Sequence, residues 1–201
     1  VGGDRVKGRD VSRMHMFDCV NLGLEITGTN AEGALGQWEY QCFSKDALKA
    51  CDDLWVSRYV LNKTSEKHDS AINIDPKPVD GDWNGSGCHT NFSNYEMRKI
   101  GGQELFKDIL ARFKNRHQIH VAWYGENNDR RLTGDHETQH ISRFSYGVGN
   151  RGASIRIPNS VEQNSWCGYM EDRRPASNCD PYTVARLIME TSGGIYDDNA
   201  L

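Results

Sequence analysis

Nothing in the 201-residue chain approaches the ~18 consecutive apolar residues of a membrane-spanning helix, and that class is excluded. Positive charge is not in excess either. There are 24 Lys and Arg against 28 Asp and Glu, a formal net charge of −4 and a pI near 6.0. A phosphate backbone selects a strongly basic face, so this balance argues against nucleic acid as the main partner. None of the six cysteines forms a CxxC pair and their spacing is irregular, which reads as reduced, mostly buried thiols of an intracellular protein. With five prolines, no repeat and no low-complexity tract, no linker is marked along the chain. The GxxxxGK[ST] phosphate loop is absent, as is a kinase-type Gly-rich loop with its Asp/Asn set, which removes the two common ATP folds. The sequence opens Val1-Gly2-Gly3 with neither an initiator Met nor a signal peptide, so an upstream segment is expected. What is present, 37% apolar residues and 20 glycines, suffices for a folded core.

Periodicity predicts helices alternating with short strands. A helix is expected over 10–22, strands over 24–27 and 37–43, and a helix over 47–63 capped by Ser44 and Asp46, with Leu48, Cys51, Trp55 and Tyr59 roughly on one face. A strand over 71–74 ends at Pro76 and Pro78, and 87–93 is strand-like. Phe106, Ile109, Leu110 and Phe113 carry the helical spacing of the clearest helix, over 103–120. Strands near 144–148 and 153–157 follow. A last helix opens with Asp180 as cap and Pro181 at its first position, runs to 191 and is stopped by Gly193-Gly194. The pattern implies an α+β fold: a mostly antiparallel curved sheet with helices packed on one side.

Four stretches place polar residues where apolar alternation is due. In 29–40, Glu32 and Glu39 flank a glycine-containing turn between two strands, and a hairpin puts both carboxylates on one face, a hard-oxygen set suited to Mg²⁺ or Mn²⁺; two solvated glutamates beside a turn is the plainer reading. The segment 82–93 offers His89 among small residues that let a ligand approach the backbone, or else a hydrogen-bonded structural histidine. The segment 128–138 and the pair 150–156 and 168–175 add Arg131, Glu137, Arg151, Arg156, Glu171, Arg173 and Arg174. Guanidinium forks hold phosphate or carboxylate bidentately, although surface salt bridges account equally well for any single arginine. Carboxylates and a histidine for a divalent metal, with arginines for phosphate, are the inventory of phosphoryl transfer. The residues by themselves stop at an Mg-nucleotide enzyme acting on a small anion.

The motifs GTNAEGALGQWEYQ (28–41), DPKPVDGDWNGSGCHTNFS (75–93), NDRRLTGDHET (128–138), NRGASIRIP (150–158) and GYMEDRRPASNCDPY (168–182) go further. In this order they resemble the C-terminal catalytic domain of eukaryotic-type glutamine synthetase over nearly the whole chain. The resemblance implies an ATP-dependent glutamate–ammonia ligase working through γ-glutamyl phosphate, with ATP as substrate and two or three Mg²⁺ or Mn²⁺ ions per site. It assigns Glu32 and Glu39 to the metal on the glutamate side, and His89 and Glu171 to the metal beside the phosphates. Asn84, Gly85 and Arg131 take the amino-acid substrate. Glu137 is the flap residue that attracts ammonium and helps remove its proton. Arg151, Arg156 and Arg173 surround ATP and the transferred phosphate, with Trp38, Tyr40 and Ser93 on the nucleotide side.

The resemblance also implies that residues 1–201 are one catalytic domain whose N-terminal β-grasp partner lies upstream. Family sites form between subunits of a homo-oligomeric ring, here a decamer of two pentamers, so the 201-residue piece alone is expected to be inactive. Neither nucleic acid nor membrane is an expected partner, and the implied location is cytoplasmic with an organellar form left open. Departures fall in loops: Gly33-Ala34-Leu35-Gly36 lacks a usual proline, Gln163 to Cys167 replaces a Lys/Gly-rich link, and Met170 stands where an aromatic is common. Two alternatives stay open, a shortened and catalytically silent relative serving as a structural subunit, and a ligase joining glutamate to another amine.

Overall fold

The computed structural model describes residues 6–198. The chain divides into two units, one formed by Val1–Asn73 with Asp82–Asn84 and the other by Ile74–Gly81 with Gly85–Leu201.

In the first unit, helix α1 (Arg9–Asn21) leads into the antiparallel hairpin of β1 (Ile26–Ala31) and β2 (Trp38–Cys42), and then into helix α2 (Ala47–Lys67). The Asp46 carboxylate accepts from Lys49 N at 2.8 Å, capping α2 as its sequence predicts. The strand expected over 24–27 begins at Ile26 and continues to Ala31, and α2 runs four residues past the expected end. The face of α2 that carries its apolar stripe is not the buried one. Cys51 is buried, but Leu48 and Tyr59 are each 63% exposed and Trp55 is 47% exposed. α2 turns Ser57, Val60 and Thr64 toward the interior instead, where His15 and Asp18 of α1 bond Ser57 and Thr64. There His15 Nε2 lies 3.1 Å from the Ser57 carbonyl and 3.2 Å from Cys19 Sγ, beside a small core of Cys19, Leu24 and Val60. Burial lowers the His15 pKa and keeps the ring neutral.

The second unit is built on a four-stranded sheet in the order β3 (Thr90–Phe92), β6 (Met170–Asp172), β5 (Ile155–Ile157), β4 (Tyr146–Val148). β6 runs antiparallel to both neighbours, while β4 and β5 are parallel. The mixed α+β class expected from the sequence is thus observed, in two sheets, one to each unit. The unit also holds helices α3 (Tyr95–Lys99), α4 (Gln103–Asn115), α5 (His117–Trp123), α6 (Asn159–Gln163) and α7 (Pro181–Gly193), with a 3₁₀ turn over Asn128–Arg130. Phe106, Ile109, Leu110 and Phe113 of α4 are fully buried with Met170, Ile155 and Leu187, as the helical spacing predicts. The predicted 103–120 helix is interrupted at Arg116, whose guanidinium turns into the interior and donates to Thr191 Oγ1 at 2.5 Å and Asp198 at 2.8 Å. No strand forms over 71–74. α3, α6 and β6 have no counterpart among the predicted elements.

Side chains alternate along β6 as pleating requires. Met170 and Asp172 point toward the helices, where Asp172 accepts from Arg174 Nε at 2.9 Å, Arg174 Nη2 at 2.7 Å and Tyr124 OH at 2.9 Å. Glu171 and Arg173 point the other way, into the cluster described next.

Candidate active site

Glu171 is the centre of the cluster in the second unit. Register sets it opposite Asn91 of β3 and Arg156 of β5. Its Oε1 accepts from Arg173 Nη1 at 2.9 Å and lies 3.4 Å from His89 Nδ1. Its Oε2 is 2.5 Å from Arg156 Nε, but the N–H is misdirected, so these two buried atoms are an ion pair without a hydrogen bond. Burial alone raises a carboxyl pKa; here His89, Arg173 and Arg156 outweigh it and hold Glu171 below its ordinary value. Desolvation, with Arg173 and Arg131 nearby, pushes His89 down against the pull of Glu171, so its ring is a neutral nitrogen donor.

Arg131 is buried at the edge of this cluster. Its Nε donates to Asn128 Oδ1 at 3.0 Å, and its Nη2 donates to the carbonyls of Arg173, Arg174 and Pro175 at 3.2, 2.6 and 3.0 Å. Burial lowers its pKa to about 10, and the Arg173 charge adds to the shift. The side chain is therefore a brace for the chain leaving β6 as much as a candidate ligand group. Its Nη1 edge faces Gly87, where a Cβ would sit 2.8 Å from Nη1 and 2.9 Å from His89 Nε2. A side chain at 87 would have to displace the Arg131 or His89 side chain.

Glu137 lies on a loop in which His136 and Glu137 both have positive φ, 51° and 60°. Such backbone is strained for a residue with a side chain and recurs at functional loops. Its Oε2 pairs with Arg151 Nη2 at 2.8 Å, and its carbonyl accepts from Arg173 Nη2 at 3.4 Å. Ser93 accepts from Arg98 Nη1 through its carbonyl and its Oγ, each at 2.9 Å.

In the first unit, β1–β2 register pairs Asn30 with Glu39. Asn30 Nδ2 donates to Glu32 Oε1 at 2.9 Å, and Gln41 Nε2 donates to Asn30 Oδ1 at 3.0 Å and Glu39 Oε1 at 2.6 Å. A chain of two amides therefore links the two carboxylates along the hairpin. Asn84 lies beside the same hairpin, its Nδ2 3.0 Å from where a Cβ on Gly33 would be. Trp38 Nε1 donates to the Lys7 carbonyl at 2.7 Å, and Tyr40 packs edge-on against His15 at 4.6 Å. Asn30, Gln41 and Asn128 are not among the residues the sequence singles out, although each lies inside a motif, two residues from Glu32, two from Glu39 and three from Arg131.

His89 and Glu171 offer one nitrogen and one carboxylate with an unsatisfied buried oxygen, and the hairpin offers two carboxylates. Among the described residues, no group of three or more His, Cys, Asp or Glu is arranged to hold a metal ion. His89 Nδ1 and Glu171 Oε1 lie 3.4 Å apart, whereas Glu32 and Glu39 are joined through the Asn30 and Gln41 amides.

With this geometry in view, comparison with known proteins is decisive. The family "Glutamine synthetase, catalytic domain" matches residues 5–114, more than half of the chain. The chain belongs to the glutamine synthetase catalytic-domain family. Among its relatives, the chloroplastic leaf isozyme of glutamine synthetase from Hordeum vulgare is 50% identical over 192 residues, 96% of this chain and 44% of the relative. Glutamine synthetase of Neurospora crassa is 49% identical over 194 residues, covering 96% and 53%. The cytosolic isozyme of Pinus sylvestris is 47% identical over 192 residues, covering 96% and 54%. The chain thus spans about half the length of the glutamine synthetases it matches.

Proposed function

We propose that this chain carries the catalytic part of an ATP-dependent glutamate–ammonia ligase. The observation that carries the reading is the buried Glu171 carboxylate held among Arg156, Arg173 and His89, next to a strained loop that presents Glu137 to Arg151. Glu32 and Glu39 would hold one Mg²⁺ or Mn²⁺, and His89 and Glu171 another; bound there, such ions neutralise phosphate charge.

The protein's own groups do the rest. An oxygen of the glutamate γ-carboxylate attacks the γ-phosphorus of ATP, and the bond to ADP breaks. Arg151, Arg156 and Arg173 supply fixed N–H donors for the phosphoryl oxygens, and such donors are fully effective only when they are positioned beforehand. Asn84, Gly85 and Arg131 hold the amino-acid end. Ammonia nitrogen then attacks the acyl carbon and inorganic phosphate leaves. The Glu137 carboxylate draws ammonium in and accepts a proton from it, and its loop keeps water from the acyl phosphate. Trp38, Tyr40 and Ser93 serve the nucleotide side.

The family membership supports two further parts of the reading. A neighbouring subunit's N-terminal β-grasp domain completes the site, in a homo-oligomeric ring of two pentamers. The compartment is cytosolic or organellar, since the relatives include isozymes named for both, and no helix among the described residues is long and apolar enough to cross a membrane. The test is phosphate release by the full-length natural protein. Release that requires ATP, glutamate, ammonium and Mg²⁺ together is the expected result, whereas release independent of glutamate, or none at all, overturns the proposal.

A further inference from the structure

We propose that Arg130 is a positioning residue for the amino-acid substrate, latching the turn that backs Gly85 and Ser86; this rests on the ligase reading. Arg130 Nη1 donates to Asp75 Oδ1 at 3.0 Å, and Nη2 donates to Asp80 Oδ1 at 2.9 Å and to the Lys77 carbonyl at 3.1 Å. One guanidinium thus ties both ends of the turn and its middle. The Asp75 carboxylate also accepts from Lys77 N at 2.8 Å, which closes the turn on itself.

The held turn is one wall of the segment that follows the candidate substrate residue Asn84. The Pro76 carbonyl accepts from Ser86 N at 2.8 Å. A Cβ on Gly85 would lie 2.7 Å from the same carbonyl oxygen and would collide with Arg131 Cγ. Gly85 is therefore gripped between the turn and Arg131. Consecutive arginines divide the work: Arg131 is buried and forms the inner wall, while Arg130, 40% exposed, fixes the outer wall from behind. The Arg130 guanidinium donates to the turn, at Asp75, Lys77 and Asp80. Its contribution is to keep the Pro76 carbonyl, and with it the Gly85–Ser86 backbone, in one place. A lysine cannot replace it fully, since an ammonium lacks the planar fork that spans two carboxylates and a carbonyl.

The ion pairs are exposed, so their loss leaves the fold intact and acts on local order. In the full-length natural protein, Arg130→Gln is expected to raise KM for glutamate about three- to tenfold, with kcat and KM for ATP changed less than about twofold. Arg130→Lys is expected to lie between wild type and Arg130→Gln. Amide exchange over residues 74–87 reads the latch without reference to catalysis, and Arg130→Gln should accelerate it there and not in α4 or α7. Unchanged exchange over 74–87 overturns the latch. Faster exchange with an unchanged glutamate KM, or an equal loss in kcat, overturns the positioning role. Faster exchange in a protein whose wild type makes no glutamine overturns the ligase reading while supporting the latch.

Discussion

Replacing Asp172 by Ala tests how the back of the site is held. Asp172 is fully buried and accepts four hydrogen bonds: from Arg174 N at 3.1 Å, Nε at 2.9 Å and Nη2 at 2.7 Å, and from Tyr124 OH at 2.9 Å. Arg174 is 1% exposed, so removing the carboxylate strands a guanidinium in the core. What remains to it are the faces of Phe113, Tyr124 and Phe144 at 5.3–5.6 Å and two histidine nitrogens at 3.1 and 3.2 Å. Breaking a buried pair from one side costs about 3–5 kcal/mol. At about 2–4 °C per kcal/mol for a chain of this size, the thermal unfolding midpoint followed by circular dichroism should fall by roughly 6–20 °C. Replacing both partners with apolar groups, Asp172→Leu with Arg174→Met, should recover part of the loss, because no charge is then left unpaired. A drop below about 3 °C for Asp172→Ala, or a double variant as damaged as the sum of the singles, would falsify the account of β6 as a strand anchored from behind by this pair.

Three further outcomes follow from the geometry. His120 lies between Tyr124 OH at 2.5 Å and Thr191 Oγ1 at 2.8 Å, and burial, reinforced by Arg174, lowers its pKa to about 2. Its folded value lies below the unfolded one, so the unfolded chain takes the proton first; its contribution is intact above about pH 6.5 and is lost as pH falls, by about 2 kcal/mol at pH 5. Urea midpoints measured between pH 7 and 5 check this, and His120→Asn should flatten the slope. Glu137→Ala should lower glutamine formation by the full-length protein about 10²–10⁴-fold, within the range of a lost general base, while the melting temperature stays within about 2 °C. Leu48→Ser and Tyr59→Ser on the outer face of α2 should each shift stability by less than about 0.5 kcal/mol, whereas Val60→Ala on its inner face should cost more than about 1 kcal/mol; chemical denaturation separates the two faces.

Where the sequence was legible, local patterns agreed with the packing. Helix α4 declares its buried face because Phe106, Ile109, Leu110 and Phe113 meet a large apolar core. α7 shows its ends because Asp180 caps it and Gly194, at φ 67°, closes it. The site motifs stood out because charged residues broke apolar alternation. α2 buries a polar face because its partner helix is polar: His15 of α1 bonds Ser57, Asp18 accepts from Thr64, and the apolar stripe of Leu48, Trp55 and Tyr59 is left outside. β6 was invisible because Glu171 and Asp172 are buried on opposite sides of one strand, each neutralised by partners distant in sequence or two residues on. The break at Arg116 has no local cause; the pull comes from Thr191 and Asp198, more than seventy residues away. The division into two units leaves no mark in composition, because no linker-like stretch separates them.

The central claim is that a phosphoryl group passes to the γ-carboxylate of glutamate before nitrogen enters. It is tested most directly by isotope transfer in the full-length protein. Glutamate carrying ¹⁸O in both γ-carboxylate positions is converted with ATP, ammonium and Mg²⁺, and the released phosphate is weighed by mass spectrometry. The account predicts one ¹⁸O in each phosphate, with the other retained in the glutamine amide. Phosphate released without the label contradicts it.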